Sequence, residues 1–435
     1  MFEPKKFLRI VIGVALSVLL GTAAMIFVYA LPNDRVVRNV RAGLELYERE
    51  GNYPSWALGE HSRLDNFTDA IFLLEVTHPI DGVINSAMLN PRYGLTADEK
   101  PVDALIQALR GDTTGLAEIN YPRYWHGALL ILKPLLIATQ VNHVRMIVAY
   151  ADFILFVTAL LMFQKILGTR IAVAFAAAVM TINLVSVSMS FQFSTVYAVT
   201  LSALIVMLKK NRRLFDDALY EYFFAVVGIL VAFTDLLTYP IFSVGLPLTT
   251  WYLLNRRALL EKNLAHVLKS MVGLLTAWGT GYFGMWSGKW LVAQILTGRD
   301  VLSDALGQVM SYLQISDALT AAGWQITTAD ALQRIVAVGG HGPIRIFLFA
   351  AIILLTVSLI RRRREISLSP RKILPYLLPA MLPFVWVALA SGHSHIHAFF
   401  VYRGLAVAVF ALTCAAMEIS SSAQKKSAAL NSDGS

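Results

Sequence analysis

Residues 10–31 read IVIGVALSVLLGTAAMIFVYAL, an apolar run without a charged side chain. A helix needs about 20 apolar residues to cross a bilayer, whereas a signal peptide has an apolar core of only about 7–15 residues. Lys5, Lys6 and Arg9 precede the run. No small-residue cleavage site precedes Pro32. The run therefore predicts an uncleaved first span that starts in the cytoplasm.

The composition of the whole chain agrees with a membrane protein. Of its 435 residues, 57% are hydrophobic and 15% are charged, whereas a soluble domain has about 45–50% and about 25%. This balance excludes a soluble enzyme, a disordered chain and a disulfide scaffold, and the single cysteine, Cys414, can form no intramolecular disulfide. The net charge of +9 is explained below by membrane orientation, so no nucleic-acid partner is predicted.

Further apolar runs predict an all-α polytopic protein with about ten spans. After the first span, the runs lie at about 144–167, 171–189, 195–208, 219–237, 241–254, 268–287, 343–360, 373–390 and 398–417. The run 129–141 is shorter and is interrupted by Lys133-Pro134. Its length favours a re-entrant or interfacial helix.

The polar segments divide the chain into regions. The predicted regions are the first span 1–31, an extracytoplasmic loop 32–143, a transmembrane bundle 144–287, a second extracytoplasmic loop 288–342, C-terminal spans 343–417, and a disordered cytoplasmic tail 418–435. In the first loop, Val36–Glu50, Asp69–Val76 and Val102–Leu109 have the spacing of short amphipathic helices. They predict an outward-facing helical cap on the bilayer.

Positive charge indicates the orientation of these spans. With ten spans and a cytoplasmic start, the basic clusters fall inside: Lys165/Arg170, Lys209–Arg213, Arg256-Arg257, Arg361–Arg364 and Lys425-Lys426. Cytoplasmic loops carry an excess of Lys and Arg, so both termini are predicted to be cytoplasmic. Of the nine histidines only His266 falls inside. An active site is therefore expected at the outer face.

Two carboxylates of the first loop are the leading catalytic candidates. Asp65 and Asp69 are four residues apart, so a helix places both on one face. Two close carboxylates can share a proton, which gives one of them the raised pKa of a base, or they can hold a divalent cation. The alternative is a helix N-terminus capped by Asp65 or Thr68. Asp34 is a rival base, with its own alternative as a cap for the helix that follows.

Arginines and histidines near the outer boundary are candidates for binding a lipid phosphate. Arg123, Tyr124 and His126 belong to the motif Arg-Tyr-Trp-His-Gly at 123–127, which could instead be an interfacial aromatic anchor. Arg403 lies within the last span, where a charge is costly and by default functional. The same segment contributes four further candidates, which are His393, His395, His397 and Tyr402.

The alternating histidines leave two geometries open. In an extended segment all three imidazoles lie on one side, whereas a helix puts His393 and His397 on one face and His395 on another. No nearby Asp, Glu or Cys completes a zinc set, so no metal site is predicted. Gln192 and Asp235 are further outward candidates, and the alternative for Asp235 is a partner of a buried arginine. His341 lies in a glycine-rich turn.

This layout resembles the GT-C superfamily of membrane glycosyltransferases, which take sugars from polyprenyl-phosphate donors. The motifs at 123–127 and 393–403 also resemble those of a set of bacterial polytopic membrane proteins. The resemblance implies a bacterial inner-membrane enzyme with a base at Asp65, Asp69 or Asp34. It implies that Arg123, Arg403 and the histidines hold the lipid phosphate.

The function expected from this resemblance is transfer of a sugar from a polyprenyl-phosphate donor to an envelope glycan or lipid. Chemistry at the outer face needs a lipid-borne donor, because nucleotide sugars stay inside. No particular cofactor is predicted, although the carboxylates could hold a divalent cation. The alternatives are a transporter or flippase of an envelope precursor, and a membrane acyltransferase with a histidine base.

Overall fold

The computed structural model describes residues 3–96, 99–313, 326–340, 342–362 and 370–432. His341 and part of the cluster Arg361–Arg364 lie outside these residues. The protein is about 80% helical, which confirms the predicted all-α class. The first half contains α1 Pro4–Ala30, α2 Asp34–Arg41, α3 Leu44–Glu50, α4 Asn66–Thr77, α5 Val83–Leu89, β1 Arg92–Leu95, α6 Pro101–Arg110, β2 Leu116–Ile119, α7 Leu129–Ala138, α8 Val141–Leu167, α9 Thr169–Met180, α10 Leu184–Met189 and α11 Phe191–Asp216.

Within the described residues, every secondary-structure element of the second half is helical. It contains α12 Tyr220–Thr234, α13 Ile241–Leu260, α14 Leu264–Thr297, α15 Val301–Tyr312, α16 Thr328–Gly339, α17 Pro343–Arg362, α18 Pro370–Leu389, α19 Ser391–Ile396, α20 Ala398–Val401, a 3-10 turn Tyr402–Leu405 and α21 Ala406–Ser432. The last helix, α21, continues to Ser432, into the segment 418–435 for which a disordered tail is predicted. The helix continues because Ala, Lys and Gln there are good helix formers.

Five described helices are long and apolar enough to cross a membrane. They are Pro4–Ala30, Val141–Leu167, Phe191–Asp216, Arg371–Leu389 and Ala398–Ser420. A sixth is obtained if Thr328–Gly339 and Pro343–Ser358, which meet at 109°, form one broken span. These helices indicate a membrane protein. The described residues contain five or six helices of sufficient length and apolar composition, so the predicted count of about ten spans is not confirmed.

One predicted span is interrupted. The run 171–189 forms α9 and α10, separated at Thr181–Asn183. Asn183 has a φ of 61° and its side chain accepts a hydrogen bond from the backbone N–H of Ser186, so it caps α10. The prediction of one continuous helix is wrong here, because asparagine favours this left-handed cap over a helix interior.

Close backbone packing joins α12 to α14. α12 crosses α14 where a Cβ on Gly228 would lie 2.2 Å from the carbonyl oxygen of Trp278. A Cβ on Gly281 would lie 2.1 Å from the carbonyl oxygen of Ala225. Small residues permit such backbone contact between membrane helices. Any side chain at either position would force the two helices apart.

The first loop folds into short helices α2 to α6 and a two-stranded antiparallel ladder. In this ladder Arg92 pairs with Ile119 and Leu95 with Leu116. The predicted helices at Val36–Glu50, Asp69–Val76 and Val102–Leu109 correspond to α2 with α3, to α4 and to α6. α7 is only ten residues long and contains Pro134, as expected of a helix too short to span.

Candidate active site

The N-terminus of α4 carries the two leading carboxylates. Asp65 is the N-cap residue, and its Oδ1 accepts a hydrogen bond from the backbone N–H of Thr68 at 3.1 Å. Asp69 lies one turn later, and both side chains are buried. The capping interpretation of Asp65 is therefore correct, while its burial in a polar surrounding leaves a chemical role open.

Asp69 holds a second helix in place. Its Oδ2 accepts from the backbone N–H of Phe191 at 3.2 Å and its Oδ1 accepts from that of Gln192 at 3.3 Å. These groups belong to the first turn of α11, where backbone N–H groups lack partners within the helix. Asp69 therefore connects the first loop to α11 and has a structural role.

A buried arginine that the sequence analysis did not single out lies beside Asp69. Arg145, near the N-terminus of α8, donates to Glu50 Oε2 at 3.0 Å and to Asn66 Oδ1 at 2.9 Å. Asn66 in turn donates to Glu50 Oε2 at 2.9 Å. The signal was present, since Arg145 lies in an apolar predicted span as Arg403 does. We missed the pair because Glu50 is far away in sequence.

Burial changes the acidity of both aspartates. Burial raises the pKa of Asp65 to about 6, although hydrogen bonds from Thr68 and the charge of Arg403 act against it. Burial raises the pKa of Asp69 to about 8, opposed by Arg145 and assisted by Asp65. At neutral pH Asp65 is therefore mostly ionised and can accept a proton. Asp69 is mostly protonated and is the poorer base.

The raised pKa values predict that the contribution of Asp65 and Asp69 to stability falls as pH rises from 4 to 8. The folded state holds these protons more tightly than the unfolded state, whose carboxyls titrate near 3.8. The stabilisation is complete below pH 4 and is lost through about 6 and about 8, at roughly 1.4 kcal/mol per unit of pKa difference. Unfolding followed across this range should show a flatter profile above pH 6 in Asp69→Asn. An unchanged slope in that variant would contradict the assignment.

Arg403 is fully buried in the 3-10 turn before α21. Its Nε donates to the carbonyl oxygen of Ile182 at 2.9 Å and its Nη1 to that of Phe399 at 2.9 Å. The guanidinium carbon lies 4.1 Å from the ring centre of Phe193. Within the described ranges no group accepts a hydrogen bond from Nη2. Tyr402 lies beside it, and its hydroxyl donates to the carbonyl oxygen of His61 at 3.1 Å. Arg403 therefore retains donor capacity toward an anion.

Gln192 and Asp235 join Asp65, Asp69 and Arg403 in one polar cluster. Gln192 Nε2 donates to Asp235 Oδ1 at 3.2 Å. Asp235 also accepts from the backbone N–H of Thr238 at 2.9 Å and from the Thr238 hydroxyl at 2.5 Å. The partners of Asp235 are therefore an amide and a turn rather than the buried arginine that the alternative proposed. Both side chains connect the α11 N-terminus to the turn after α12.

His393 and His395 lie on α19, and His397 is the turn residue between α19 and α20. The rings of His393 and His397 are 4.8 Å apart, while His395 lies toward Asp330 of α16. His393 Nε2 donates to the carbonyl oxygen of Leu237 at 3.0 Å. Burial lowers the pKa of His393 well below its usual range and that of His397 to about 4. Both are neutral at pH 7. Among the described residues no group of three His, Cys, Asp or Glu side chains is placed to hold a metal ion.

Arg123 and Tyr124 lie at one edge of this region. Arg123 Nη1 donates to Asp304 of α15 at 3.0 Å, and the ion pair is partly exposed. Tyr312, at the end of α15, lies close to Tyr124, and its ring centre is 4.7 Å from that of His393. α15 therefore connects the 123–124 segment to the histidine helix. Arg123 is occupied by a carboxylate that a phosphate would have to displace.

His126 belongs to a different buried group. Its Nδ1 lies 2.9 Å from Glu75 Oε2, and both side chains are fully buried. Lys289 of α14 lies nearby and donates to Asn90 Oδ1 at 3.2 Å. The structure thus does not pair His126 with Arg123. We missed Glu75 and Lys289 because each is a lone charge in an apolar stretch whose partner lies far along the chain.

Asp34 lies outside the cluster. It is the first residue of α2 and is exposed. No hydrogen bond or ion pair of its side chain occurs among the described residues, and its position suits the positive end of the helix dipole. Asp34 thus lies on a different helix from the one that carries Asp65 and Asp69.

An apolar cavity of about 140 Å³ lies beside the cluster, between α7, α8, α11 and α12. It reaches the first turn of α11 at Phe191 and Ser194, next to the groups held by Asp69. Its other walls include Ile131, Leu135, Val144, Val148 and Val199. Such a cavity suits a hydrocarbon chain. Comparison of the chain with models of protein families, with curated proteins and with solved structures finds no match.

Proposed function

We propose that this chain is a GT-C-like membrane glycosyltransferase that moves a sugar from a polyprenyl phosphate to an envelope glycan or lipid. One observation carries the proposal: Asp65, a buried carboxylate with a pKa of about 6, experiences the charge of the buried Arg403. A base and a phosphate-binding cation in one polar cluster are the two groups that displacement of a lipid phosphate needs.

In this mechanism Asp65 takes the proton of the acceptor hydroxyl as that oxygen attacks the sugar. The bond between the sugar and the phosphate breaks on the opposite face, so the configuration inverts. Arg403 Nη2 donates to the leaving phosphate and stabilises its developing charge. Asp69 and Arg145 hold the first loop against α8 and α11, which keeps Asp65 in position.

The apolar cavity between α7, α8, α11 and α12 supports a lipid donor. One isoprene unit fits a cavity of this size, and a polyprenyl chain with one unit seated there would place its phosphate near the start of α11. The proposal includes ten crossings, with α9, α12, α13 and α14 among them, and an outward cap. It places both termini in the cytoplasm of a bacterial inner membrane, as the basic clusters indicate.

The test is an assay of purified protein with radiolabelled polyprenyl-phosphate sugars and extracted envelope lipids or glycans. We expect release of polyprenyl phosphate with one donor, at a rate that rises with pH around a midpoint of about 6 as Asp65 ionises. A rate that falls between pH 5 and 7 would contradict Asp65 as base. Absence of turnover with every lipid donor would favour the transporter alternative.

Acyl transfer is the second candidate, because Glu75 Oε2 lies 2.9 Å from His126 Nδ1 and could orient that imidazole as a base. His126 Nε2, however, faces the carbonyl oxygen of Tyr121 at 3.1 Å. The nitrogen that would take the proton is thus occupied. Activity that survives Asp65→Asn but is lost in Glu75→Gln would favour acyl transfer.

A further inference from the structure

A carboxylate that the proposed reaction does not use lies inside a membrane-spanning helix. Asp152 belongs to α8, about 16 Å along the helix axis from Val141 at a rise of about 1.5 Å per residue. Its side chain is buried, with 3% exposed. An ionisable residue at this depth is expensive and marks a functional site by default.

The partners of Asp152 leave its charge uncompensated. The Ser194 hydroxyl donates to its Oδ2 at 2.7 Å, and the Tyr197 hydroxyl donates to its backbone carbonyl at 3.5 Å. In the parts of the chain that the structure describes, no Lys, Arg or His nitrogen lies within 4.0 Å of this carboxylate. One neutral hydroxyl does not balance a buried negative charge.

This carboxylate lines a cavity of about 130 Å³. The cavity lies between α8, α10 and α11, where the interruption at Thr181–Asn183 allows α10 to begin separately. Apart from Ser188, its remaining walls are apolar or aromatic, and include Phe156, Leu184, Val187 and Tyr197. Phe153 and Val185 are 63% and 40% exposed at its margin. None of the residues that line it is basic.

We propose that this cavity binds a protonated amine on a short apolar stem. The ammonium group would pair with Asp152, and the stem would pack against the aromatic walls, which also attract a cation. A cavity of about 150 Å³ holds one benzene ring, so a single ring or a short alkyl chain fits. The site is separate from the Asp65–Arg403 cluster and does not depend on glycosyl transfer.

Benzylammonium and its neutral isostere benzyl alcohol test the proposal by calorimetric titration of the purified full chain. We expect wild type to bind the ammonium at least tenfold more tightly than the alcohol. Asp152→Asn should lose this preference and bind both weakly. Equal affinity of wild type for the two probes, or undiminished ammonium binding by Asp152→Asn, would overturn the proposal.

Two further variants distinguish the effect of the Asp152 charge from the effect of the cavity volume. Ala149→Leu fills the cavity and keeps Asp152, so it should weaken the binding of both probes at least tenfold. Asp216→Asn removes an exposed carboxylate at the end of α11 and should bind both as wild type does. Loss of ammonium binding in Asp216→Asn, or full binding in Ala149→Leu, would place the amine elsewhere and overturn the site.

The amine could belong to a free metabolite or to a lipid headgroup. Titration in nanodiscs of phosphatidylethanolamine and of phosphatidylglycerol distinguishes them. If the lipid amine occupies the cavity, benzylammonium binds weakly only in the phosphatidylethanolamine discs. Equal binding in both discs identifies a free amine as the ligand class.

Discussion

Exchange of Asp65 for asparagine is expected to lower the rate of sugar transfer at least about 100-fold while the protein remains folded. General-base catalysis contributes about 10²–10⁴ in rate, and an amide cannot accept the acceptor's proton. Asparagine caps a helix about as well as aspartate, so the hydrogen bond from Thr68 survives. At pH 4, where Asp65 is protonated in the folded state, the free energy of unfolding should change by less than about 1 kcal/mol. Transfer assays and denaturant unfolding of the same preparation measure both quantities.

Asp69→Asn is the matched control, because it makes the same chemical change one turn away. Here one of two oxygens that accept from Phe191 and Gln192 becomes an amide nitrogen, which leaves a buried N–H unpaired. A loss of about 1–3 kcal/mol in stability is expected. The remaining folded protein should keep more activity than Asp65→Asn. The reverse order of activities would make Asp69 the base.

Arg403→Met is expected to reduce both stability and transfer. It removes donors to the carbonyl oxygens of Ile182 and Phe399, and each unpaired buried acceptor costs about 1–3 kcal/mol. Loss of a preorganised donor to a developing anion typically costs about 10²–10³ in kcat. Thermal unfolding and single-turnover kinetics on the folded fraction separate the two effects.

Two variants sharpen the Arg403 test. Arg403→Lys retains the charge but loses the planar fork, so it should stay more active than Arg403→Met and less active than wild type. Arg110→Met removes a largely exposed arginine paired with Glu48 and should leave stability within about 0.5 kcal/mol of wild type. Wild-type turnover in folded Arg403→Met would exclude a role for this guanidinium in the reaction.

The parts of the fold that depend on local pattern were predictable. Apolar length predicted helices such as α1 and α8, and the spacing of Asp65 and Asp69 predicted their shared helix. A buried Arg403 followed from its place within an apolar span. Each of these features depends on residues that are close together in the chain.

The parts that depend on distant partners were not predictable. Arg145 with Glu50, and His126 with Glu75, meet only after the loop has folded against the membrane helices. The hydrogen bonds that Asp69 accepts from α11 form only when the start of α11 packs beside α4. The prediction of a continuous helix over 171–189 was wrong for a local reason, since Asn183 favours a helix cap over a helix interior.

The interruption between α9 and α10 allows this protein to bury the charged side chain of Arg403. In an unbroken helix every interior carbonyl oxygen is already bonded to an N–H one turn later. Because the helix stops, the carbonyl oxygen of Ile182 is free to accept from Arg403 and, at 3.4 Å, from Tyr402. The backbone itself thus solvates an arginine far from water, and the same gap makes room for the cavity beside Asp152.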